Sequence, residues 1–371
     1  MINKKLLLVV CFFTTITFLQ AQQPTLIIGT YTNNTGSEGI YAYSFDTTTL
    51  EATKLSSVKS NSPSYLAIHP NTKNIYAVNE NGIKQTPTIS SFKFDVKEKK
   101  LTAINIQNSI GASPCYIALD KSNKWLAVAN YRGGNIVTFG VQSNGLIGKM
   151  QQNLQHYGKS VDSSRQKAPH AHCAVFTPNN KFILAADLGI DKIMAYSFNE
   201  TTGKSVLKDS IQLFGGAGPR HIEFNKTKPV FYVVEELTGT ISVVAFNNLG
   251  NMQLLQRCSI LPEAFGGKVG SADIHISYDN KFLYATNRGD GNDIAVLKVD
   301  PKSAKLQLVQ NISVQGKAPR NFTIHPNNRL VLVGNQNSNE IAIFKRNTST
   351  GMLEFTGKKI NVPSPVCLKW L

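Results

Sequence analysis

The stretch HAHCAVFTPNNKFILAADLG, residues 170–189, contains the pattern on which the fold depends. Residues 173–176 form a short apolar run, TPNN at 177–180 is a turn signal, and a second apolar run at 182–186 ends on Asp187. Two short apolar runs joined by a turn rich in Pro and Asn are typical of a β-hairpin. The polar residues of this hairpin lie at its open end, away from the turn.

The same hairpin pattern returns about every fifty residues. Six frames align without a gap: SPSYLAIHPNTKNIYAVNE (62–80), SPCYIALDKSNKWLAVANY (113–131), HAHCAVFTPNNKFILAADL (170–188), GPRHIEFNKTKPVFYVVEE (218–236), GSADIHISYDNKFLYATNR (270–288) and APRNFTIHPNNRLVLVGNQ (318–336). Their second residues serve as anchors: Pro63, Pro114, Ala171, Pro219, Ser271 and Pro319, spaced by 51, 57, 48, 52 and 48 residues. A repeat of roughly 40–50 residues is typical of a four-stranded propeller blade.

The two ends of the chain complete the repeat. Each frame is followed by a third alternating segment, as in KIMAYSFN (192–199), and by a fourth, and no segment has sustained helical periodicity. TLIIGTYTNNTGSEGIYAYSFD (25–46) has the pattern of a second and third strand, and SPVCLKWL (364–371) that of a first strand. We therefore predict an all-β fold with one domain, residues 22–371, a seven-bladed β-propeller whose last blade is closed by the N- and C-terminal strands.

Residues 1–21 have the pattern of a signal peptide. Lys4 and Lys5 precede an uncharged apolar run at 6–18, and Ala21 offers a small residue for cleavage. A lipoprotein anchored through Cys11 is disfavoured, because Val10 is large and the apolar run continues past the cysteine. We expect an exported protein, periplasmic or secreted, that begins at Gln22.

Charge and cysteine content exclude several classes of function. The net charge is +16, and loss of residues 1–21 removes two lysines and no acid, which leaves +14. The lysines are scattered over turns and no arginine-rich run is present, so neither a nucleic acid nor a membrane is expected as partner. No CxxC pair occurs, and Cys115, Cys173 and Cys367 begin predicted first strands, where a small buried thiol is expected.

The repeat predicts which residues meet at the open ends of the hairpins. With each anchor as position zero, the turn falls near position nine, so position two is expected opposite position sixteen, about 5 Å away. The predicted pairs are Tyr65 with Asn79, Tyr116 with Asn130, Cys173 with Asp187, His221 with Glu235, Asp273 with Asn287, and Asn321 with Asn335. These residues would form a polar circle around one mouth of the central channel.

Charged and imidazole side chains concentrate at this predicted mouth. They are His170, His172, Arg220, His221, Glu235, Arg288 and Arg320, accompanied by Asn287. Three of the eight arginines and three of the seven histidines of the chain are in this set. A single histidine of this kind is more often structural, but buried cations are costly without a ligand, so the cluster indicates a functional site.

Several frames resemble a known family. ANYRGG (129–134), HAH (170–172) with DLGID (187–191), GPRH (218–221), NRG (287–289) and APR (318–320) are similar to motifs of the lactonase family of seven-bladed β-propellers. This family includes the bacterial propeller-type 6-phosphogluconolactonases and the fungal carboxy-muconate lactonising enzyme, and the resemblance covers residues 25–371. It implies a site with a histidine, two arginines and a glutamate, which by motif would be His170 or His172, Arg220, Arg288 and Glu235.

The same residues suit the hydrolysis of an ester. Opening a lactone needs an activated water, a positive group near the carbonyl oxygen, and an acid for the leaving alkoxide. We assign Glu235, oriented by His221, as the base, Arg220 and Arg288 to the oxyanion, and His172 to the proton. The expected substrate-binding residues are Asn130, Asp187, His221, Asn287, Arg320 and Asn335. No GxSxG motif is present, which disfavours a serine nucleophile.

Alternatives to this interpretation stay open. No cofactor is expected, but Asp187, Glu235, Asn130 and Asn287 offer oxygen ligands that suit calcium. A second class of function is an exported, non-catalytic propeller that binds a carbohydrate or a protein. If the chain is an enzyme, we expect a monomeric hydrolase of carboxylic esters whose partner is a small-molecule lactone, and both phosphorylated and unphosphorylated sugar lactones are candidates.

Overall fold

The computed structural model describes residues 23–81 and 85–371 and contains seven four-stranded antiparallel sheets. The predicted seven-bladed β-propeller is therefore confirmed. The predicted signal peptide, residues 1–21, lies outside the described residues. Within the part of the chain that is described, no helix has the length and apolar character needed to cross a membrane.

The strands are given blade by blade, from the channel outward. Blade 1 contains β28 (Pro365–Trp370), β1 (Thr25–Thr30), β2 (Gly39–Phe45) and β3 (Ala52–Lys59). Blade 2 contains β4 (Pro63–Ile68), β5 (Asn74–Asn79), β6 (Thr88–Asp95) and β7 (Lys100–Asn108), and blade 3 contains β8 (Pro114–Leu119), β9 (Trp125–Asn130), β10 (Asn135–Val141) and β11 (Ile147–Gln155). Blade 4 contains β12 (Ala171–Phe176), β13 (Phe182–Asp187), β14 (Lys192–Phe198) and β15 (Ser205–Gln212).

The other three blades have the same order. Blade 5 contains β16 (Pro219–Phe224), β17 (Val230–Glu235), β18 (Thr240–Phe246) and β19 (Met252–Ser259). Blade 6 contains β20 (Ser271–Ile276), β21 (Phe282–Asn287), β22 (Asp293–Val299) and β23 (Leu306–Ser313). Blade 7 contains β24 (Pro319–Ile324), β25 (Leu330–Asn335), β26 (Glu340–Arg346) and β27 (Leu353–Asn361), and a short 3₁₀ helix spans Gln336–Ser338.

The hydrophobic core lies between adjacent blades. The second strands, such as β13 (FILAAD) and β17 (VFYVVE), are buried along their whole length because a neighbouring blade covers each face. The fourth strands, such as β15 (SVLKDSIQ), are mostly exposed or half-buried, since they form the outer rim. Cys115, Cys173 and Cys367 are buried free thiols on first strands, as predicted, and Cys258 is a half-buried free thiol on β19.

The terminal strands close the ring as predicted. β28 pairs antiparallel with β1, from Leu26 opposite Trp370 to Gly29 opposite Cys367. The last strand of the chain is thus the innermost strand of blade 1, whose other three strands come from the beginning of the chain. This pairing completes blade 1 as a four-stranded sheet and holds the two ends of the chain together.

The predicted register of the inner hairpins is wrong by one position. Position sixteen lies opposite the anchor, as in Pro219 opposite Glu235, and position two lies opposite position fifteen, as in His221 opposite Val234. The residue between them, at position one, is an extra residue in the first strand, and a register shift occurs at this point in all seven blades. A β-bulge of this kind redirects the side chains beside it.

Candidate active site

The bulge and the end of the second strand bring two rings of side chains to one mouth of the channel. Position one is the bulged residue, and position seventeen is the first residue after each second strand. The position-one residues are Ser64, Cys115, His172, Arg220, Ala272, Arg320 and Val366. The position-seventeen residues are Tyr31, Glu80, Tyr131, Leu188, Glu236, Arg288 and Gln336. These residues differ from blade to blade, and their charged members gather into one group.

Glu236 is the centre of that group. Its Oε1 accepts a hydrogen bond from Arg165 Nη2 at 2.6 Å, and its Oε2 lies 2.9 Å from Arg220 Nε and 3.1 Å from Arg288 Nη2. Burial alone would raise the pKa of Glu236, but the charges of Arg288, Arg220 and Arg165 outweigh it and lower the pKa to about 2. The carboxylate is therefore ionised at neutral pH and is a weak base.

Arg320 forms a second ion pair at the same mouth. Its Nη2 lies 3.3 Å from Glu80 Oε2, which also accepts a hydrogen bond from the Tyr31 hydroxyl at 2.7 Å. The guanidinium of Arg320 stacks 5.1 Å from the centre of the Tyr31 ring. The ion pair of Arg320 lies close enough to that of Glu236 for their charges to interact. Burial lowers the pKa of Arg288, Glu236 raises it, and the charges of Arg220 and Arg320 lower it further, so that the pKa is about 10.

We call these six residues, Arg165, Arg220, Arg288, Arg320, Glu80 and Glu236, the arginine cluster. Four guanidinium groups face two carboxylates, so the cluster carries two positive charges in excess. Arg220 is only 1% exposed, and its Nη2 has no hydrogen-bond partner among the described residues, although its Nε bonds to Glu236 and its Nη1 to His221 and the Ala272 carbonyl. The arrangement therefore favours an anionic ligand or an oxyanion that forms during a reaction.

His172 is the imidazole beside the arginine cluster. Its ring packs edge-on against those of Tyr131 and His221, at 5.4 Å between ring centres in both cases, and its Nδ1 lies 3.8 Å from Cys115 Sγ. Burial, followed by the charges of Arg220, His221 and Arg320, holds the pKa of His172 well below its usual value. The ring is therefore neutral at neutral pH, and its Nε2 has no hydrogen-bond partner among the described residues.

His170 lies at the rim of the same mouth. Its ring stacks on that of Tyr131 at 4.4 Å, and its Nδ1 lies 3.0 Å from the Tyr131 carbonyl oxygen. Its backbone N–H donates to Asp187 Oδ1 at 2.7 Å. Both histidines of the HAH motif have an Nε2 without a hydrogen-bond partner among the described residues, but the His172 ring is buried against His221, whereas His170 is only half-buried.

A buried series of hydrogen bonds through His221 and Asp273 positions Arg220. Arg220 Nη1 lies 3.0 Å from His221 Nε2, and His221 Nδ1 lies 2.8 Å from Asp273 Oδ1. Because a guanidinium only donates, Nε2 of His221 is the acceptor and Nδ1 carries the proton toward Asp273. Burial and the charge of Arg220 lower the pKa of His221 to about 3 despite the opposing effect of Asp273, which agrees with a neutral ring.

The structure places Glu235 outside the arginine cluster. The Glu235 side chain is fully buried and accepts hydrogen bonds from hydroxyls of Thr238, Thr240 and Ser242 and from Arg257 Nε at 2.8 Å. All of these partners belong to blade 5, and His221 is not among them. The geometry therefore does not support Glu235 as a base oriented by His221.

The other residues at position sixteen bond to the loop that precedes their own blade. Asp187 accepts from His156 Nδ1 at 2.6 Å, Asn130 donates to the Ser109 carbonyl, and Asn335 donates to the Val314 carbonyl. Asn287 accepts from the Gly270 N–H at 3.1 Å. These contacts fasten the loop that enters each first strand, so the structure does not bring Asn130, Asp187, Asn287 and Asn335 together as substrate or calcium ligands.

Sequence reasoning missed Glu236, Arg165, Glu80 and the two tyrosines of the mouth. Glu235 and Glu236 are adjacent, and neighbouring side chains of a strand point to opposite faces, so an error of one position in the register exchanges them. Position seventeen varies between frames more than position sixteen, which is Asn in four of the six frames, and this variation was an available signal. Arg165 lies in the loop between β11 and β12, outside every frame, and no pattern marked it.

No group of three or more His, Cys, Asp or Glu side chains is placed to hold a metal ion within residues 23–81 and 85–371. The acidic residues of the mouth are instead bonded to arginines. The chemistry available at the mouth is thus that of guanidinium groups, a neutral imidazole and ionised carboxylates.

Comparisons with known proteins agree with this picture. Residues 25–370 match the model of the family described as lactonase, 7-bladed beta-propeller. The 6-phosphogluconolactonase of Bacillus subtilis is 33% identical over 347 residues, which cover 93% of this chain and 97% of that protein. The 6-phosphogluconolactonase of Formosa agariphila is 35% identical over 89% of this chain and 94% of its own length.

One solved structure extends the comparison to another lactone. The periplasmic gluconolactonase PpgL of Pseudomonas aeruginosa superimposes with a TM-score of 0.88 at 31% identity, covering 94% of this chain and 99% of that one. The alternative of a non-catalytic binding propeller is therefore not favoured. The chain belongs to the lactonase family of seven-bladed β-propellers, hydrolases that open cyclic esters, and the arginine cluster with His172 is its candidate active site.

Proposed function

We propose that this lactonase opens a sugar lactone by direct attack of water, with neutral His172 as general base. The observation that carries the proposal is the combination of a neutral, buried imidazole with a cluster that holds two excess positive charges. The imidazole can accept a proton, and the cluster can receive negative charge. Glu236 holds three of the arginines in place.

The reaction follows from these positions. His172 Nε2 takes a proton from water as the water oxygen attacks the lactone carbonyl carbon, and the carbonyl oxygen becomes an oxyanion beside Arg220 and Arg288. As the intermediate collapses, the bond from the carbonyl carbon to the ring oxygen breaks, and the proton on His172 passes to the leaving alkoxide. The product is a hydroxy acid, the water has been consumed, and the imidazole is neutral again.

Glu236 acts on the arginines in this proposal and takes no proton. A carboxylate with a pKa of about 2 accepts protons poorly, so it does not compete with His172 as base. Its role is to fix the guanidinium groups where the oxyanion forms, which avoids their reorganisation during the reaction. Glu235, the base that the sequence predicts, has a structural role in blade 5 in this proposal.

The substrate class that we infer is an aldonolactone. The excess positive charge suits both the oxyanion and the carboxylate of the product, so a phosphate is not required for binding. The same charge also favours a lactone that carries its own phosphate, with Arg320 and Arg165 at the edge of the cluster as the groups that would receive it. Two named relatives act on the phosphorylated lactone and one on gluconolactone.

Export is part of the proposal. The pattern of residues 1–21 and the periplasmic location in the name of PpgL support a mature enzyme that begins at Gln22 and works outside the cytoplasm. An exported enzyme would meet unphosphorylated lactones more readily, so we place glucono-δ-lactone first and its 6-phosphate second.

The test is a pH-stat assay of both lactones with the mature protein. Hydrolysis releases one proton per turn-over at neutral pH, and we expect rates far above the spontaneous rate with wild type. His172→Gln and Arg288→Met should each lose roughly 10²–10³-fold in kcat/KM. Full activity of His172→Gln would remove the imidazole from the mechanism, and failure of wild type on every sugar lactone would overturn the substrate class.

A further inference from the structure

The central channel has a second polar end, opposite the arginine cluster. All seven position-two side chains are buried, whereas six of the seven at position four are half-buried. The channel is therefore closed where the position-two side chains lie and open where the position-four side chains lie. Tyr65 and Tyr116 stack at 4.1 Å, and the His221 ring packs edge-on against both. These three rings separate the arginine cluster from the space on the turn side.

That space is a cavity of about 380 Å³. The polar residues that line it are Tyr65, Tyr116, His221, Glu223, Asp273, His275 and Lys369. Small-molecule sites usually have volumes of roughly 300–1,000 Å³ and a few polar groups set in an apolar wall. The size and the lining of this turn-side cavity therefore suit a small polar ligand.

Lys369 is a cation without an acidic partner in this cavity. No carboxylate of the described residues lies within 4.0 Å of its Nζ, which donates one long hydrogen bond of 3.4 Å to the Tyr65 hydroxyl. Its ammonium group lies 4.7 Å from the centre of the Tyr65 ring. Two of its three N–H groups are therefore available, and a cation held in a channel is stabilised when an anion binds it.

The two carboxylates of the cavity, Glu223 and Asp273, both contact the imidazole of His275. His275 lies between Glu223, at 3.2 Å from Nδ1, and Asp273, at 3.0 Å from Nε2. Burial opposes protonation, but Asp273 and Glu223 outweigh it and raise the pKa of His275 to about 9. The second oxygen of Glu223 accepts no hydrogen bond from a described residue, so this wall can receive a hydroxyl donor.

We propose that the turn-side cavity is a second binding site, separate from the lactonase site, for a small polyhydroxy carboxylate. The ligand carboxylate binds Lys369 and the hydroxyl groups of Tyr65 and Tyr116, and a ligand hydroxyl donates to Glu223. A neutral polyol lacks the group that Lys369 needs, and a simple aliphatic acid lacks the donor that Glu223 needs. The site thus selects for both groups on one small molecule.

Calorimetric titration with D-gluconate tests this site. The titration is made in Arg288→Met, which weakens binding at the arginine cluster, and we expect one remaining site. Adding Lys369→Met should weaken that binding roughly tenfold or more, the effect of losing a charge-assisted hydrogen bond. D-glucitol, which has the hydroxyls without the carboxylate, should not bind.

Two controls make the result decisive. Lys369→Met alone should keep wild-type lactone hydrolysis, since Lys369 does not contact the arginine cluster, and Glu223→Gln provides a second variant if Lys369→Met lowers the Tm. Equal affinity for gluconate with and without Lys369 would overturn the proposal, as would loss of all gluconate binding in Arg288→Met. Neither result would bear on whether the arginine cluster hydrolyses lactones.

Discussion

Replacing Glu235 or Glu236 with glutamine, one at a time, distinguishes a loss of catalysis from a loss of stability. Glu236 binds three arginines at the mouth, and Glu235 binds Arg257 and three hydroxyls inside blade 5. Both carboxylates are buried, both variants keep the shape of the side chain, and both leave at least one arginine without its partner. The pair is therefore matched in burial, in the substitution and in the loss of an arginine partner, and it differs in the position of the charge and in the number of arginines bound.

The expected stability losses are similar. Breaking a buried ion pair costs roughly 3–5 kcal/mol, and both sites fall at the lower end because three of the four arginine partners are partly exposed, while buried Arg220 keeps its contacts with His221 and the Ala272 carbonyl. The Arg257 side chain is 27% exposed, and those of Arg165 and Arg288 are 40% and 19% exposed. With an unfolding entropy of about 2 cal/mol/K per residue, a loss of about 3 kcal/mol lowers the Tm by about 4 °C in each variant.

The expected activities differ. Glu236→Gln frees the guanidinium groups that receive the oxyanion, so kcat/KM should fall roughly 10²–10³-fold, while Glu235→Gln should stay within about threefold of wild type. The assay is pH-stat hydrolysis of glucono-δ-lactone at a temperature at which calorimetry shows both variants folded. An inactive Glu235→Gln beside an active Glu236→Gln would refute the reasoning and restore Glu235 as the base.

Three further predictions follow from the same contacts. His172 must be neutral to act, and its pKa is lowered, so kcat/KM should stay level from neutral pH down and fall only well below pH 6.5; an acid limb that persists in His172→Gln would contradict this. Asp273→Asn should loosen His221 and thus Arg220, lowering kcat about tenfold with little change in KM, as steady-state kinetics can show. The pKa of His275 rises from 6.5 to about 9 on folding, so its contribution to stability is complete below pH 6.5 and is lost as the pH rises to about 9; chemical denaturation across this range should show the decline in wild type and not in His275→Gln.

The fold could be predicted from the sequence because each blade repeats its apolar pattern. The inner hairpin at 170–189 has its first strand, turn and second strand within two residues of the predicted bounds, and the closure by SPVCLKWL follows from the missing first strand of blade 1. Burial of a strand on both faces leaves a continuous apolar run, which is visible without coordinates.

The site could be predicted only in part. His172, Arg220, Arg288 and Arg320 were identified, because imidazole and guanidinium groups at the ends of first and second strands interrupt a regular pattern. The sequence pattern places the carboxylate partner of the arginines at Glu235 instead of Glu236, because the β-bulge that sets the register has no signature in side-chain type. Arg165 reaches the site from a loop whose path depends on tertiary contacts, and local pattern does not contain that information.

The bulge explains why one fold can carry two polar ends. In a regular strand, adjacent residues point to opposite faces, so a first strand could offer the channel only alternate positions. The extra residue at position one lets Arg220 reach the mouth while His221 still points into the channel, and the two touch through Nη1 and Nε2 at 3.0 Å. The chain from Arg220 through His221 and Asp273 to His275 therefore joins the arginine cluster to the turn-side cavity. A charge bound at Lys369 can act on Arg220 through this chain, so a change in kcat that D-gluconate causes in wild type should be lost in both Lys369→Met and His221→Phe, while competitive inhibition by gluconate at the arginine cluster should remain.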